Sequence, residues 1–168
     1  MSRIFLVGMP GVGKTYWGRI LAERSGFAFA DLDEYIEQSE GRTVHEIFAI
    51  NGEAYFRQKE TQCLHKLSTN DRVIIACGGG TPVYNDNMIW MKENGCVVYM
   101  EADMSTLLNR VGNNTTRPLL DGEDIRSKME GLFQARLPYY LQAHHSIRVD
   151  EGIITNFEEI VALCTNLH

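Results

Sequence analysis

Residues 4 to 18, IFLVGMPGVGKTYWG, constrain the fold more than any other stretch of this 168-residue chain. Four apolar residues run into Gly8-Met9-Pro10-Gly11-Val12-Gly13-Lys14-Thr15, which satisfies the spacing G-x-x-x-x-G-K-[ST]. That spacing has a physical reading when a strand precedes it and a helix follows. The glycines then let backbone N–H groups turn inward around phosphate oxygens, and the helix presents the positive end of its dipole to the same charge. Lys14 is placed to reach the β- and γ-phosphates, and the Thr15 hydroxyl to ligate magnesium. The competing reading is a glycine-rich turn with an exposed lysine. The position between an apolar run and an amphipathic stretch argues against it.

The rest of the chain repeats that alternation. Strands are expected over 4–7, 27–30, 73–77, 96–100 and 146–149. Three of them, IFLV, VIIAC and CVVYM, are continuously apolar, as strands covered on both faces of a parallel sheet are. Helices are expected over 14–25, 33–39, 43–67, 85–94, 104–111, 125–137 and 156–167. Thr43 and Glu46 have capping-box spacing at the start of the third. The alternation implies a doubly wound α/β fold, and the length fits one domain, residues 1–168. The one long polar interruption, GNNTTRPLLDGED over 112–124, reads as a mobile loop between two helices.

Composition excludes several classes. A formal charge of −6 argues against nucleic acid as a main partner. No run of apolar residues is long enough to span a membrane, and no secretory leader is legible. The four cysteines, Cys63, Cys77, Cys96 and Cys164, are widely spaced without a C-x-x-C pair. They read as reduced thiols of a cytoplasmic protein rather than a disulfide frame or a zinc site. No interface is legible, so a monomer is expected.

What receives the phosphate is a separate question. There is no N-K-x-D stretch of the kind that reads guanine, and VIIAC ends in Gly78-Gly79-Gly80 rather than in a carboxylate. Acidic residues appear earlier, as Asp31-Leu32-Asp33 after the second strand, where open α/β sheets bind ligands. Two such aspartates can share one magnesium ion. Alternatively, one holds metal-bound water while the other accepts a proton from a substrate hydroxyl. Asp33 equally suits a helix N-cap. The three glycines admit close approach of a ligand and positive φ, although a tight turn would also use glycine.

Arg57, in YFRQKE, has Glu53 and Glu60 at ion-pairing distances along a helix. Arg136, in ARLPYY, precedes Pro138, which is expected to end its helix nearby and leave the guanidinium at an element end. Each arginine alone is explained by its own helix; with Asp33 and the glycines they suggest a fork grip on a carboxylate. Arg117, in TTRPLL, is either a solvated loop charge or a mobile group that swings over a transferring phosphoryl.

The phosphate loop, DLD at 31–33, FRQKE at 56–60, GGG at 78–80, RPLL at 117–120 and ARLPYY at 135–140 together resemble shikimate kinase, in order and spacing along nearly the whole chain. The resemblance implies a nucleoside-monophosphate-kinase-like three-layer fold, with helices on both faces of a five-stranded parallel sheet in order 2-3-1-4-5. It implies a substrate-binding region over about 32–61, a lid over about 112–124, and ATP-dependent phosphorylation of the 3-hydroxyl of shikimate on the route to chorismate and the aromatic amino acids. By position, Asp33, Arg57, Gly79, Gly80 and Arg136 would bind shikimate. Gly11, Val12, Gly13, Lys14, Thr15 and Tyr16 would bind ATP, with Arg110 near the adenine and Arg117 on the lid. Lys14, Asp33 and Arg117 would carry the catalysis, and Mg²⁺ would meet Thr15 directly and Asp31 through water. Cys77 and Tyr16-Trp17 depart from the family's usual smaller or more polar residues. The rival readings are a gluconate or nucleoside-monophosphate kinase of similar fold, whose D-R-x-P-W and D-G-[FY]-P-R stretches are missing, and a nucleotide-binding module that phosphorylates nothing.

Overall fold

The structure, a computed structural model, describes residues 2–112, 124–149 and 156–165. Most of the expected lid, Arg117 included, lies outside the described residues.

Five parallel strands, Arg3–Val7 (β1), Ala28–Asp31 (β2), Val73–Ala76 (β3), Cys96–Glu101 (β4) and His145–Arg148 (β5), form one sheet in the order β2-β3-β1-β4-β5. Each lies within one residue of its expected bounds. The three central strands are apolar except for Arg3 at the start of β1 and Glu101 at the end of β4, because helices cover both their faces, and β3 is buried along its whole length. The edge strands β2 and β5 are half-exposed and carry more polar side chains. The helices are Lys14–Ser25 (α1), Leu32–Glu40 (α2), Val44–Leu67 (α3), Asn87–Asn94 (α4), Met104–Gly112 (α5), Ile125–Tyr140 (α6) and Phe157–Thr165 (α7). Thr43 caps α3 through the full reciprocal box with Glu46.

Register brings the carboxyl ends of three strands level. Leu6 of β1 and Asp31 of β2 both stand beside Ala76 of β3. The loop after β1, the aspartates after β2 and the glycines after β3 therefore open onto one crevice, where the strand order reverses. The first loop turns sharply there. Gly8 has φ +146°, and a Cβ on it would stand 2.5 Å from the Met100 carbonyl of β4. Gly13, with φ +102°, supplies the left-handed residue that starts α1.

Four local expectations need correction. α6 runs three residues past its expected end at 137, through Pro138 to Tyr140. Pro138 removes one amide donor in the last turn, while the buried Tyr140 hydroxyl donates to the Gly79 carbonyl at 2.7 Å and its ring stacks on Tyr99 with centroids 5.1 Å apart. Those contacts outweigh one lost helix bond. The long helix α3 is two segments meeting at Gly52, whose φ of 82° and ψ of 170° are non-helical. The helix expected from residue 85 begins at Asn87, after a short 3-10 turn over Thr81–Val83. Finally, Cys96 and Cys164 are joined in a disulfide with Cα atoms 5.4 Å apart, leaving Cys63 and Cys77 as buried free thiols. Among the described residues no helix is long and apolar enough to cross a membrane.

Gly52 isolates backbone strain from packing, because a Cβ there meets nothing within 4 Å. Its dihedrals belong to a region that side-chain-bearing residues avoid. Gly52→Ala should lower the unfolding free energy by about 1–3 kcal/mol in a denaturant titration; an unchanged midpoint would mean that the break in α3 relaxes without cost.

Candidate active site

The phosphate loop is held from both sides. Lys14, buried at the start of α1, donates from Nζ to the carbonyls of Gly8 at 2.7 Å and Met9 at 3.0 Å. From α5, Arg110 Nη1 donates to the Val12 carbonyl at 2.9 Å and to that of Gly11 at 3.3 Å. Turning these carbonyls outward to cations leaves the loop's N–H groups for the opposite side. Trp17 packs close to Gly13, its Cδ1 3.1 Å from where a Cβ would stand, and meets the exposed Tyr16 edge-on at 4.7 Å.

The two aspartates after β2 divide their roles, and not as the helix-cap reading of Asp33 has it. Asp31 is the N-cap of α2, its Oδ1 accepting from the Glu34 amide at 3.1 Å. Its other oxygen accepts from the Thr15 hydroxyl. Asp33 sits in the first turn of α2 and directs Oδ1 towards Gly78, 3.3 Å from the position of a Cβ there. A cleft of about 270 Å³ brings together Lys14, Thr15, Asp31, Asp33, Gly79 and Arg110. Cys77 also lines it, with burial pushing its thiol pKa far up, so it is a neutral wall of the cleft.

The three glycines after β3 are needed for space rather than for backbone freedom, since none of Gly78, Gly79 and Gly80 has the positive φ that other glycines here adopt. A Cβ on Gly79 would stand 2.7 Å from Arg136 Nη1, and one on Gly80 would stand 2.6 Å from Arg57 Nη2. A Cβ on Gly78 would come within 3.0 Å of Glu60 Oε2. Two buried arginines, each 6% exposed, thus press against consecutive residues of one strip of bare backbone.

The ion pairs expected along α3 exist, and they are part of this arrangement rather than an alternative to it. Arg57 pairs with Glu60 at 2.9 Å and with Glu53 at 3.3 Å. Burial disfavours its charge, but the Glu60 and Glu53 carboxylates outweigh that and hold its pKa above the usual value. The Tyr84 ring lies 4.2 Å beneath its guanidinium carbon. Glu60 is fully buried, and its second oxygen accepts from the Thr81 hydroxyl at 2.7 Å. The sequence offers Glu60 only as an intrahelical ion-pair partner of Arg57, and does not single out Thr81 or Tyr140. The signal for Glu60 is its helical spacing from apolar residues, four after Phe56 and four before Leu64; Thr81 and Tyr140 leave none beyond closeness to the glycines and to Pro138.

A phosphate loop, a carboxylate facing a glycine strip and two buried cations, all at the carboxyl edge of a parallel sheet, define a phosphoryl-transferring enzyme for a small anionic acceptor. Comparisons with known proteins narrow that class. The shikimate kinase family profile matches residues 10–165. A shikimate kinase of Psychrobacter cryohalolentis is 38% identical over 147 residues, 88% of this chain and 79% of that protein. A structure titled shikimate kinase from Acinetobacter baumannii in complex with shikimate superposes with TM-score 0.91 at 35% identity, covering 100% of this chain and 96% of that one. A gluconokinase of Sinorhizobium meliloti, at TM-score 0.60 and 17% identity, shares the fold alone. The chain belongs to the shikimate kinase family.

Glu60→Ala would leave Arg57 buried with only its longer, half-exposed partner Glu53. Unfolding by denaturant should show a loss of about 3 kcal/mol. The double replacement Arg57→Met, Glu60→Met should recover much of it, because no unpaired charge remains.

Proposed function

We propose that this chain transfers the γ-phosphoryl group of Mg²⁺-bound ATP to the 3-hydroxyl of shikimate, as a single domain in which about 32–61 contributes the substrate side and about 112–124 the lid. The observation that carries the reading is the pair of buried guanidinium groups of Arg57 and Arg136 against Gly80 and Gly79. Glu60 and Glu53 already balance Arg57, but the second buried cation, Arg136, adds a charge that a ligand anion can meet, and a planar carboxylate meets two forks well. A sugar acid, a nucleoside monophosphate or a carboxylated cyclic alcohol would all supply an anion. The likeness to a protein captured with shikimate favours the last.

The phosphate loop, Gly11 to Thr15 with Tyr16 following, would take the ATP phosphates on its N–H groups, with Lys14 neutralising charge on the transferring group. Arg110, already on the loop's carbonyls, places a cation on the nucleotide side. Thr15 and Asp31 fit a magnesium ion: two hard oxygen donors in direct hydrogen bond leave most of the coordination to water and phosphate, as Mg²⁺ prefers. Bound there, the ion would neutralise phosphate charge. Asp33, aimed at the glycine strip, would orient the acceptor hydroxyl and take its proton as the new P–O bond forms. Arg117, in the family's lid position, would cover the phosphates. Positioning and charge neutralisation thus supply the catalysis. Use of ATP fits the cytoplasm, and the chain would act there as a monomer.

The direct test is ADP release by purified protein with Mg-ATP, with and without shikimate, and with gluconate and AMP as alternative acceptors. Shikimate alone should raise the rate. Equal stimulation by gluconate or AMP, or ATP binding without turnover, would overturn the reading. Arg136→Ala should raise KM for shikimate by an amount equivalent to roughly 2–5 kcal/mol of lost binding, while the KM for ATP stays close to wild type. Asp33→Asn should act on turnover instead, lowering kcat by about 10²- to 10⁴-fold; near-normal kcat would remove Asp33 as the base.

A further inference from the structure

At the end of the sheet opposite the candidate active site, three soft ligands converge from three separate elements. Cys96 opens β4, His145 opens β5 and Cys164 lies in the last turn of α7. Their two sulfurs and one imidazole nitrogen all lie within 4.8 Å of one another, and both cysteines are buried. The disulfide explains the meeting of the sulfurs but not the imidazole. Nε2 of His145 is buried and has no hydrogen-bond partner among the described residues. Buried polar nitrogens are satisfied in the large majority of cases, so an orphan beside two sulfurs calls for an explanation.

We propose that Cys96, His145 and Cys164 form a zinc site, open when the Cys96–Cys164 disulfide is reduced. Two thiolates and a neutral imidazole are a donor set that suits Zn²⁺, and their charges cancel it, which a buried site requires. Zinc–sulfur distances of about 2.3 Å and a zinc–nitrogen distance of about 2.0 Å put tetrahedral donors within about 4 Å of one another, so the three atoms, now within 4.8 Å, would rearrange around the ion once the sulfur–sulfur bond opens. A groove of about 470 Å³ between β5 and α7, lined by His145, Asn156, Glu159 and Ile160, gives the ion a route in and leaves room for a water as fourth ligand.

The chemistry balances. A dithiol reductant gives two electrons and two protons to the Cys96–Cys164 bond and closes to its own disulfide; Cys96 and Cys164 become thiols. Zn²⁺ then displaces one proton from each thiol to solvent while the His145 Nε2 lone pair completes the three protein ligands. The sulfur–sulfur bond ties β4 to α7 in the oxidised state, and the ion would tie β4, α7 and β5 together in the reduced one.

The test uses full-length protein, reduced by a phosphine without oxygen, freed of metal and titrated with Zn²⁺ against a chromophoric chelator. Reduced wild type should hold one equivalent, and the disulfide form none at the same chelator concentration. Cys96→Ser and Cys164→Ser should each abolish binding. His145→Ala should weaken it by roughly 100-fold or more, since loss of an outer-shell partner alone costs 10- to 100-fold. Cys63→Ser, on α3, should bind as wild type. In the Co²⁺-substituted protein, a sulfur-to-metal charge-transfer band should vanish in Cys164→Ser. Identical Zn²⁺ binding by the reduced and disulfide forms of the wild type would overturn the proposal, a comparison that needs no variant to fold. Binding that survives Cys164→Ser would do the same.

Discussion

Glu60 has no solvent exposure, yet it holds two partners at once, Arg57 at 2.9 Å and the Thr81 hydroxyl at 2.7 Å. The bond to Thr81 joins α3 to the segment just after the glycines, and the bond to Arg57, within α3, fixes where the guanidinium can point. With Glu60 occupying one side and Tyr84 a face, the guanidinium is left facing Gly80. An arginine on a flexible stem would lose side-chain entropy each time it gripped a ligand. Here folding has already ordered it. The buried carboxylate is thus a positioning group, and its charge is what makes burial of a second charge beside it tolerable.

The other half of the crevice is organised by backbone instead. β1, β2 and β3 end level, so the geometry of the phosphate loop, of Asp31 and of the glycine strip follows from strand register, before any side chain is placed. Asp31 ties two of these together by capping α2 with one oxygen and accepting from Thr15 with the other. A position that serves a helix end and a candidate metal site at once has little freedom to change.

Much of this was legible in the sequence. Continuous apolar runs located the central strands because burial on both faces leaves no alternation to misread. The glycine-lysine spacing located the loop, since few other arrangements need it. What stayed hidden depends on contacts distant in the chain. Pro138 reads locally as a stop, but Tyr140 is pinned to Gly79, 61 residues away. Asp31 and Asp33 are equivalent as caps in sequence, and only the end of β2 decides between them. Glu60 and Glu53 look alike beside Arg57, yet one is fully buried and the other half-exposed. Cys96 and Cys164 carry no pairing signal at a separation of 68, because the start of β4 and the last turn of α7 meet only in the folded molecule.

The disulfide also draws a boundary through the candidate active site. It closes a covalent ring from β4 to α7 that contains Arg110 and Arg136, while Lys14, Asp33, Arg57 and the glycine strip lie on the open chain before it. Closing a ring of that size removes about 4 kcal/mol of freedom from the unfolded chain. All of that restraint falls on the second half of the protein. In the oxidised molecule the crevice is therefore a seam between a half that remains looped when unfolded and a half that does not. The folded sheet, with β1 between β3 and β4, and the hydrogen bonds of Arg110 and Tyr140 to the first half hold the two halves in register.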